Sequence, residues 1–507
     1  MKHIKIVFVL FLMLSAFSCT KLDESLRSEL EQNTSGKVTA DQLLTSAYNS
    51  LNGPFQTGDL WHVQQHTSDE TIAPTRGPDW DDNGQWRALH AHTWNPDQGQ
   101  IRGAFNGLLG AQFSASNVLQ FSPSPQQAAE ARFIRALTMF AVLDGWDQVP
   151  YREDLTNYKT LPKTLKGKEA ADFIISELTA IMATLPDNAA AYVANKNAAR
   201  ALLMKVYLNK GVFSNRAAPT FDAADMNQII TLADQIISSA KYSLNAEFFD
   251  NFAPDNDVKS KENIYTLYNQ AGDRGGNVRG AAFQVSHYNM NPDGWNGFAT
   301  LSDFYDKFEA IDQRRGKNYR YPGALPNPGN RINVGFLVGQ QYNLTTDAPL
   351  TDRKSNPLVF TREVKLREAG NNLEITGIRV IKYPYDYATS GDQKNNDWAI
   401  FRYADVLLMK AEAQLRTGNA AGALLLVNQL RASRGASAMA SVDLNKLIDE
   451  RGRELYWEGW RRQDLIRFGK FLQPWQEKPT DDPKNLLFPI PNDQLAVNPN
   501  LTQNPGY

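Results

Sequence analysis

From Leu407 to Ala432 the chain reads LLMKAEAQLRTGNAAGALLLVNQLRA, two apolar-periodic stretches of similar length joined through Gly418. Ala411, Ala423, Val427 and Leu430 recur at helical spacing, so each stretch carries one apolar stripe. Small residues let two antiparallel helices approach closely, and the glycine makes the turn between them. Such a pair commits this part of the chain to packing helix on helix.

The same period recurs upstream. Ile174, Leu178, Ile181 and Leu185 form one packing face, and Ile229, Ala233, Ile236 and Ala240 form another. Ala131, Ile134, Ala136 and Phe140 predict a helix over about 125–145, and Leu202, Leu203, Val206 and Tyr207 predict one over 198–210. The segment 201–211 reads as the first half of a second helix pair, followed by an insertion before the helix near 226. These pairs resemble degenerate tetratricopeptide repeats, too interrupted for a regular solenoid. The fold class expected is mainly α: a tetratricopeptide-like helical-pair scaffold with long loop insertions and a few short strands. Loops concentrate at about 53–100, about 250–400 and after 470, with strand candidates at Ile264–Leu267 and Ile375–Ile381. Loops longer than about 15 residues usually carry function.

The chain starts Met1, Lys2, His3, Ile4, Lys5, then runs apolar from Ile6 to Phe17, broken only by Ser15, before Ser18 and Cys19. A positive start and a short apolar run describe a secretion signal over 1–18, removed on export. Cys19 is the only cysteine, which rules out an intramolecular disulfide. Its place after Ser15, Ala16 and Ser18 resembles a lipoprotein box, so Cys19 is expected to carry lipid, and the protein is expected to meet a membrane only through that anchor. Thr20, Lys21, Leu22, Asp23 and Glu24 follow, an acidic start resembling a surface-export signal. The 53 Lys plus Arg against 55 Asp plus Glu nearly cancel, which argues against a nucleic-acid partner.

Sugars present apolar C–H faces and hydroxyl rims, so flat aromatic rings with Asp, Asn and Arg neighbours are the side chains that bind them. Two loops supply this mixture. The first, Trp61 to Trp94, holds four tryptophans in 34 residues and offers Asp69, Arg76, Asp79, Trp80, Asp82 and Trp86; Trp61 and Trp94 at its edges suit anchoring. The second, Asp273 to Phe298, offers Tyr288, Asn289 and Trp295, with Gly294 and Gly297 placed for a sharply turned tip. A third stretch, Arg379 to Trp398, would complete a site by folding back. Core packing is the competing role for Trp80, Trp86 and Trp295.

The last 110 residues or so are the most specific. Arg402 to Met409 with Ala411, Glu412 and Ala413 (RYADVLLM.AEA), then Glu450, Arg451, Glu454, Leu455, Glu458, Gly459, Arg461, Asp464 and Leu465, then Phe488 to Pro491 and the NPNLTQNPGY ending at Tyr507, resemble three blocks of the SusD/RagB family of outer-membrane nutrient-binding lipoproteins of Bacteroidetes. Asp69, Glu70, Pro74 to Gly77, Asp79 and Trp80 resemble a loop of one branch of it. The resemblance implies a surface-exposed, lipid-anchored, non-enzymatic protein without cofactor or metal. Such a protein takes oligosaccharide or polysaccharide and delivers it to a SusC-like TonB-dependent outer-membrane transporter. It also implies a body over 19–507, with an N-terminal part to about 250 and a C-terminal part over about 251–507. Family members place aromatic arcs on loops from the first two regions. The charged motif residues are expected to tie the scaffold together through ion pairs rather than to act on substrate.

Three rivals remain. Some relatives of this fold serve peptide transporters, where backbone bonds and side-chain pockets would replace ring platforms. A glycoside hydrolase needs only two suitably spaced carboxylates, but no motif singles out a pair. His62 with His66 and His90 with His92 would suit a metal, two on a helix and two on a strand, yet no glutamate follows His62 as in a zinc protease.

Overall fold

The periodic segments are helices, and their ends are written in local chemistry. In the computed structural model, which describes residues 38–152, 155–157, 159–273, 278–390 and 393–507, the longer helices are α1 (Ala40–Ser50), α2 (Asp59–His66), the short α3 (Gln85–His90), α4 (Gly99–Val118), α5 (Pro125–Trp146), α6 (Gly167–Ile181), α7 (Lys196–Ser214), α8 (Ala223–Ser238), α9 (Tyr403–Arg416), α10 (Ala420–Ser433), α11 (Leu444–Leu455) and α12 (Arg461–Arg467). Cys19, its acidic neighbours and the 1–18 segment lie outside the described residues. Ser124 opens α5 with a capping box: its hydroxyl accepts from the Gln127 amide, and its own N–H donates to the Gln127 side chain. Asn195 and Asp222 cap α7 and α8 in the same sense.

Packing passes along the chain from α4 to α5, α6, α7 and α8, then jumps to α9, which also receives α10 and α11. The predicted 201–211 pair is therefore α7 with α8, and the 407–432 pair is α9 with α10. Gly418 closes α9 at φ 86, and Asn419 then caps α10 by accepting from the Gly422 amide. A Cβ at Gly418 would touch nothing within 4 Å, so the left-handed backbone alone penalises another residue there. Gly418→Ala is expected to destabilise by about 1–2 kcal/mol, read as a lower urea midpoint at constant m-value.

Between α8 and α9 the chain forms short strands. Asn263–Leu267 (β1) pairs antiparallel with Trp398–Arg402 (β4), and Val334–Leu337 (β2) pairs antiparallel with Arg379–Ile381 (β3). Every residue of β1 and β4 is buried, as their aromatic and β-branched content requires. The strand expected from Ile375 forms only from Arg379, because Leu373–Ile375 is a 3-10 turn. The described residues from Ala40 to Tyr507 make one compact unit, and none of their helices is long and apolar enough to cross a membrane.

The motif charges do what their helical placement implies. Arg402 reaches Glu262, Glu454 and Glu458 at 3.1, 2.9 and 2.6 Å. Arg434 reaches Glu262 and Glu454, and Arg314 reaches Asp312, Glu450 and Glu454. A second chain of pairs runs Lys205–Asp405–Arg451–Asp464–Arg467–Glu412 and locks α7, α9, α11 and α12 together. Burial alone would raise Glu450 and Glu454, but the surrounding guanidinium groups overcome it and hold Glu450 near 2 and Glu454 lower still.

Candidate functional site

Thr75–Arg76 pairs in parallel with Arg367–Glu368, and the chain leaves that contact through a tight turn. In it Trp80 (φ 60), Asp82 (φ 37) and Asn83 (φ 53) take left-handed backbone, a strained choice for a tryptophan and one that clusters at functional sites. The Trp80 indole is held there from the second loop: its Nε1–H donates to the Trp295 carbonyl at 2.8 Å, and its ring lies 4.9 Å from Phe298. Gly297 makes this approach possible, since a Cβ there would stand 2.2 Å from Trp80 Cζ2. Gly294 likewise leaves room for the Phe283 carbonyl, which a Cβ would meet at 2.5 Å. The tip thus turns at Asn296 (φ 51), and its glycines serve as gaps rather than as hinges.

The result is an aromatic corner. Trp295 is 52% exposed, its ring 6.3 Å from half-buried Trp80 and inclined 55° to it, with Phe283 beside it at 4.6 Å. A polar rim starts at Asp79, the residue before Trp80. Its carboxylate accepts from the Tyr288 hydroxyl at 2.8 Å and pairs with Arg353 at 3.3 Å. Arg353 lies 3.8 Å over the Tyr288 ring and also pairs with Glu374 at 2.7 Å. Burial and then Asp79 push the Tyr288 hydroxyl up to about 12, so it stays protonated at neutral pH. Asn289 is exposed and donates to the Thr351 carbonyl. Asp82 is exposed too, and accepts the Trp86 indole N–H at 2.7 Å. Arg353 and Glu374 carry no signal in the sequence that would have found them; a distant turn brings them here.

Four expected contacts sit elsewhere. Trp86 is 7% exposed, enclosed by His62, His66 and Phe298 at 5.0–5.1 Å, so it floors the corner instead of facing out. Asp69 is occupied by Arg461 through two bonds of 2.6 and 2.7 Å, which tie the end of α2 to α12. Arg76 and Arg379 are buried. Arg76 donates to the Asn296, Gly297 and Thr376 carbonyls, and Arg379 to the Thr376, Gly377 and Glu374 carbonyls and to Asn296 Oδ1. A buried guanidinium needs many acceptors, and these two turns supply them, so both arginines clasp the Trp295 loop from beneath. Trp61 and Trp94 anchor the first loop as expected, donating to the Trp457 carbonyl and the Tyr507 hydroxyl. In the third stretch Lys382 turns inward to Glu458 and Tyr383 stacks on Trp398 at 4.6 Å, which leaves Tyr385 and Tyr387 near the surface.

The histidines go separate ways. His62 and His66 lie on α2, but His90 ends α3 and His92 sits in a turn facing Asp481 at 2.6 Å, so the strand expected for the second pair does not form. Among the described residues no cluster of three or more His, Cys, Asp or Glu is arranged for a metal. Burial drives His62 down to about 4 and lowers His66 and His90, whereas burial pushes the Glu70 carboxyl up to about 8. As pH falls from 8 to 6.5 the folded chain holds a Glu70 proton that the unfolded chain releases, and stability rises. Below 6.5 the unfolded chain protonates histidines that stay neutral when folded, and stability then falls through about 4. Thermal melting is expected to peak near pH 6.5; a melting temperature that keeps climbing down to pH 4.5 would contradict the buried-neutral histidines.

A scaffold of paired helices carrying long inserted loops, two of which bring Trp80 and Trp295 together, defines the class: a tetratricopeptide-like body with a loop-borne aromatic corner. Residues 232–482 match the model of the SusD family. The chain is 25% identical over 476 residues to the starch-binding protein SusD of Bacteroides thetaiotaomicron, a match spanning 84% of this chain and 82% of that protein. It is also 25% identical over 424 residues to the SusD-like protein P25 of Formosa agariphila, covering 75% of this chain and 73% of that protein. A solved SusD superfamily protein from Parabacteroides distasonis shares the fold at TM-score 0.72 and 18% identity, over 92% of this chain and 98% of that one. Surface glycan-binding protein A from Bacteroides thetaiotaomicron, solved in complex with laminarihexaose, does so at TM-score 0.67 and 17% identity, over 92% and 98%.

Proposed function

We propose that this protein captures oligosaccharide by stacking sugar rings on Trp80 and Trp295 and hands it, without any covalent step, to a SusC-like TonB-dependent transporter of the outer membrane. The observation that carries this reading is the exposed corner itself: two indoles inclined at 55°, with Asp79, Tyr288 and Asn289 set for hydroxyls. A ring face takes the C–H side of a sugar, and the carboxylate, phenol and amide fix its rim. Rings set at this angle meet successive sugars when the chain turns between them, which favours a curved glycan over a flat ribbon.

The family match supports the reading, as does the naming of one relative as starch-binding and of a solved structure of this fold as laminarihexaose-bound. Lipidation at Cys19 and display at the cell surface belong to the same proposal. A peptide lid would depend on backbone bonds and side-chain pockets, and this corner presents aromatic ring faces.

The test is an affinity-gel and calorimetry screen of the chain starting after Cys19 against a panel of polysaccharides, with a Trp80→Ala/Trp295→Ala variant alongside. One glycan bound by the parent and lost by the variant is the expected outcome. Peptides bound with no glycan retained would move the function to peptide uptake, and release of reducing sugar would make the protein a hydrolase. Failure to co-purify with a co-expressed SusC-like barrel would remove the delivery step.

A further inference from the structure

The loop that carries Trp295 has a second side. Its Met290, Asn291 and Pro292 border a separate cleft of about 320 Å³, closed opposite by residues from the 321–344 segment and by Tyr385 and Tyr387. We infer that this cleft is a second saccharide site, taking a neutral sugar unit from a branch or an end of the glycan held at the Trp80–Trp295 corner. The inference rests on the glycan reading above.

Its size falls at the lower end of pockets that enclose small ligands, roughly 300–1,000 Å³, which suits one or two sugar rings. The walls are tied to each other. The Tyr321 hydroxyl donates to the Tyr385 carbonyl at 2.7 Å, and the Tyr387 hydroxyl donates to the Asn291 carbonyl at 2.9 Å. Tyr321 is also stacked on Tyr319 at 5.3 Å. With two hydroxyls committed to backbone, these rings offer the ligand chiefly their carbon surface. A cleft braced in this way needs little ordering when it fills.

The remaining lining sets the ligand class. Ile332, 49% exposed, adds apolar surface. Gln340 gives side-chain N–H groups to the Gln341 and Leu350 carbonyls, which leaves its amide oxygen to accept from a sugar hydroxyl. Arg331 lies 3.5 Å over the Tyr342 ring and is neutralised by Asp347 at 2.7 Å, so the cleft does not call for an anionic ligand. A peptide gains no strand edge from β2, which lines the cleft through Phe336 and Leu337 and is paired along both edges, with β3 and with Gly316–Lys317. The two sites share one frame: Trp295 and Asn296 donate their amides to the Phe283 and Ser286 carbonyls at 2.8 Å, and Ser286 lines the cleft.

Native affinity gels with starch, laminarin, xylan, mannan and galactan would compare the parent protein with Ile332→Arg, Tyr342→Ala and Trp80→Ala/Trp295→Ala. Ile332 is a surface residue, so its replacement is expected to leave the melting temperature unchanged while blocking the cleft. For the retained polysaccharide, each cleft variant is expected to weaken binding about fivefold or more, short of the loss caused by the tryptophan pair. Unchanged retention in both cleft variants, with binding still lost in the tryptophan variant, would leave the glycan function standing and remove the second site. Retention of none of these glycans by the parent would remove both. Binding of a mixed tripeptide pool that Ile332→Arg abolishes would reassign the cleft to peptide and overturn the inference.

Discussion

Glu454→Ala is expected to destabilise the protein by about 3–5 kcal/mol, the range for removing one partner of a buried ion pair. Glu454 accepts from Arg314, Arg402 and Arg434, and all four side chains are fully buried. Without it three guanidinium groups keep their charge in a low-dielectric interior and lose a shared counterion. Glu262, Glu450 and Glu458 remain, which is why the range quoted for one broken pair is used rather than three times that. Urea denaturation would read the change as a lower midpoint, and Glu454→Gln, which keeps the shape and drops the charge, should fall between. A midpoint within the error of the parent would show that the network is dispensable for stability.

Trp80→Ala and Trp295→Ala are each expected to weaken glycan binding by about 2 kcal/mol or more, roughly thirtyfold, as interfacial aromatic anchors do. Trp295 faces solvent, so its removal should leave the melting temperature close to the parent value. Trp86→Ala should behave in the opposite way. Its ring packs on His62, His66 and Phe298, so about 3–5 kcal/mol of stability goes with it, and any loss of binding follows from a disturbed floor. Calorimetry and thermal melts on the three variants separate the cases. A Trp295 variant that binds as the parent does would take the ligand away from this corner.

The contrast between Trp86 and Trp295 shows what was legible beforehand. In the sequence both stand among polar residues and look equally suited to stacking. Only one reaches solvent, because α2 brings His62 and His66 against Trp86 while Gly294 and Gly297 let the tip fold so tightly that Trp295 stays outside. Arg76 and Arg379 are buried for a related reason: a long side chain reads as a surface group in the sequence, and only the turns that supply its acceptors draw it inside. Tyr321, Arg331 and Tyr342 carry no signal in the sequence, since a cleft formed between segments leaves no spacing to read.

Local physics was carried by the sequence alone. Apolar stripes at helical period place α5, α7, α9 and α10, Gly418 is the turn that only glycine takes easily, and the charges of α9, α11 and α12 are spaced for a scaffold. The three C-terminal blocks were enough to mark the family, which the comparisons bear out. Tertiary structure decided the rest: that Glu262, Arg314 and Arg434 join the buried network, that Arg353 and Glu374 complete the polar rim, and which aromatics face out. The division has one cause. Helix period, caps and turns depend on residues a few positions apart, whereas exposure and partnership depend on which distant segment arrives at the other side.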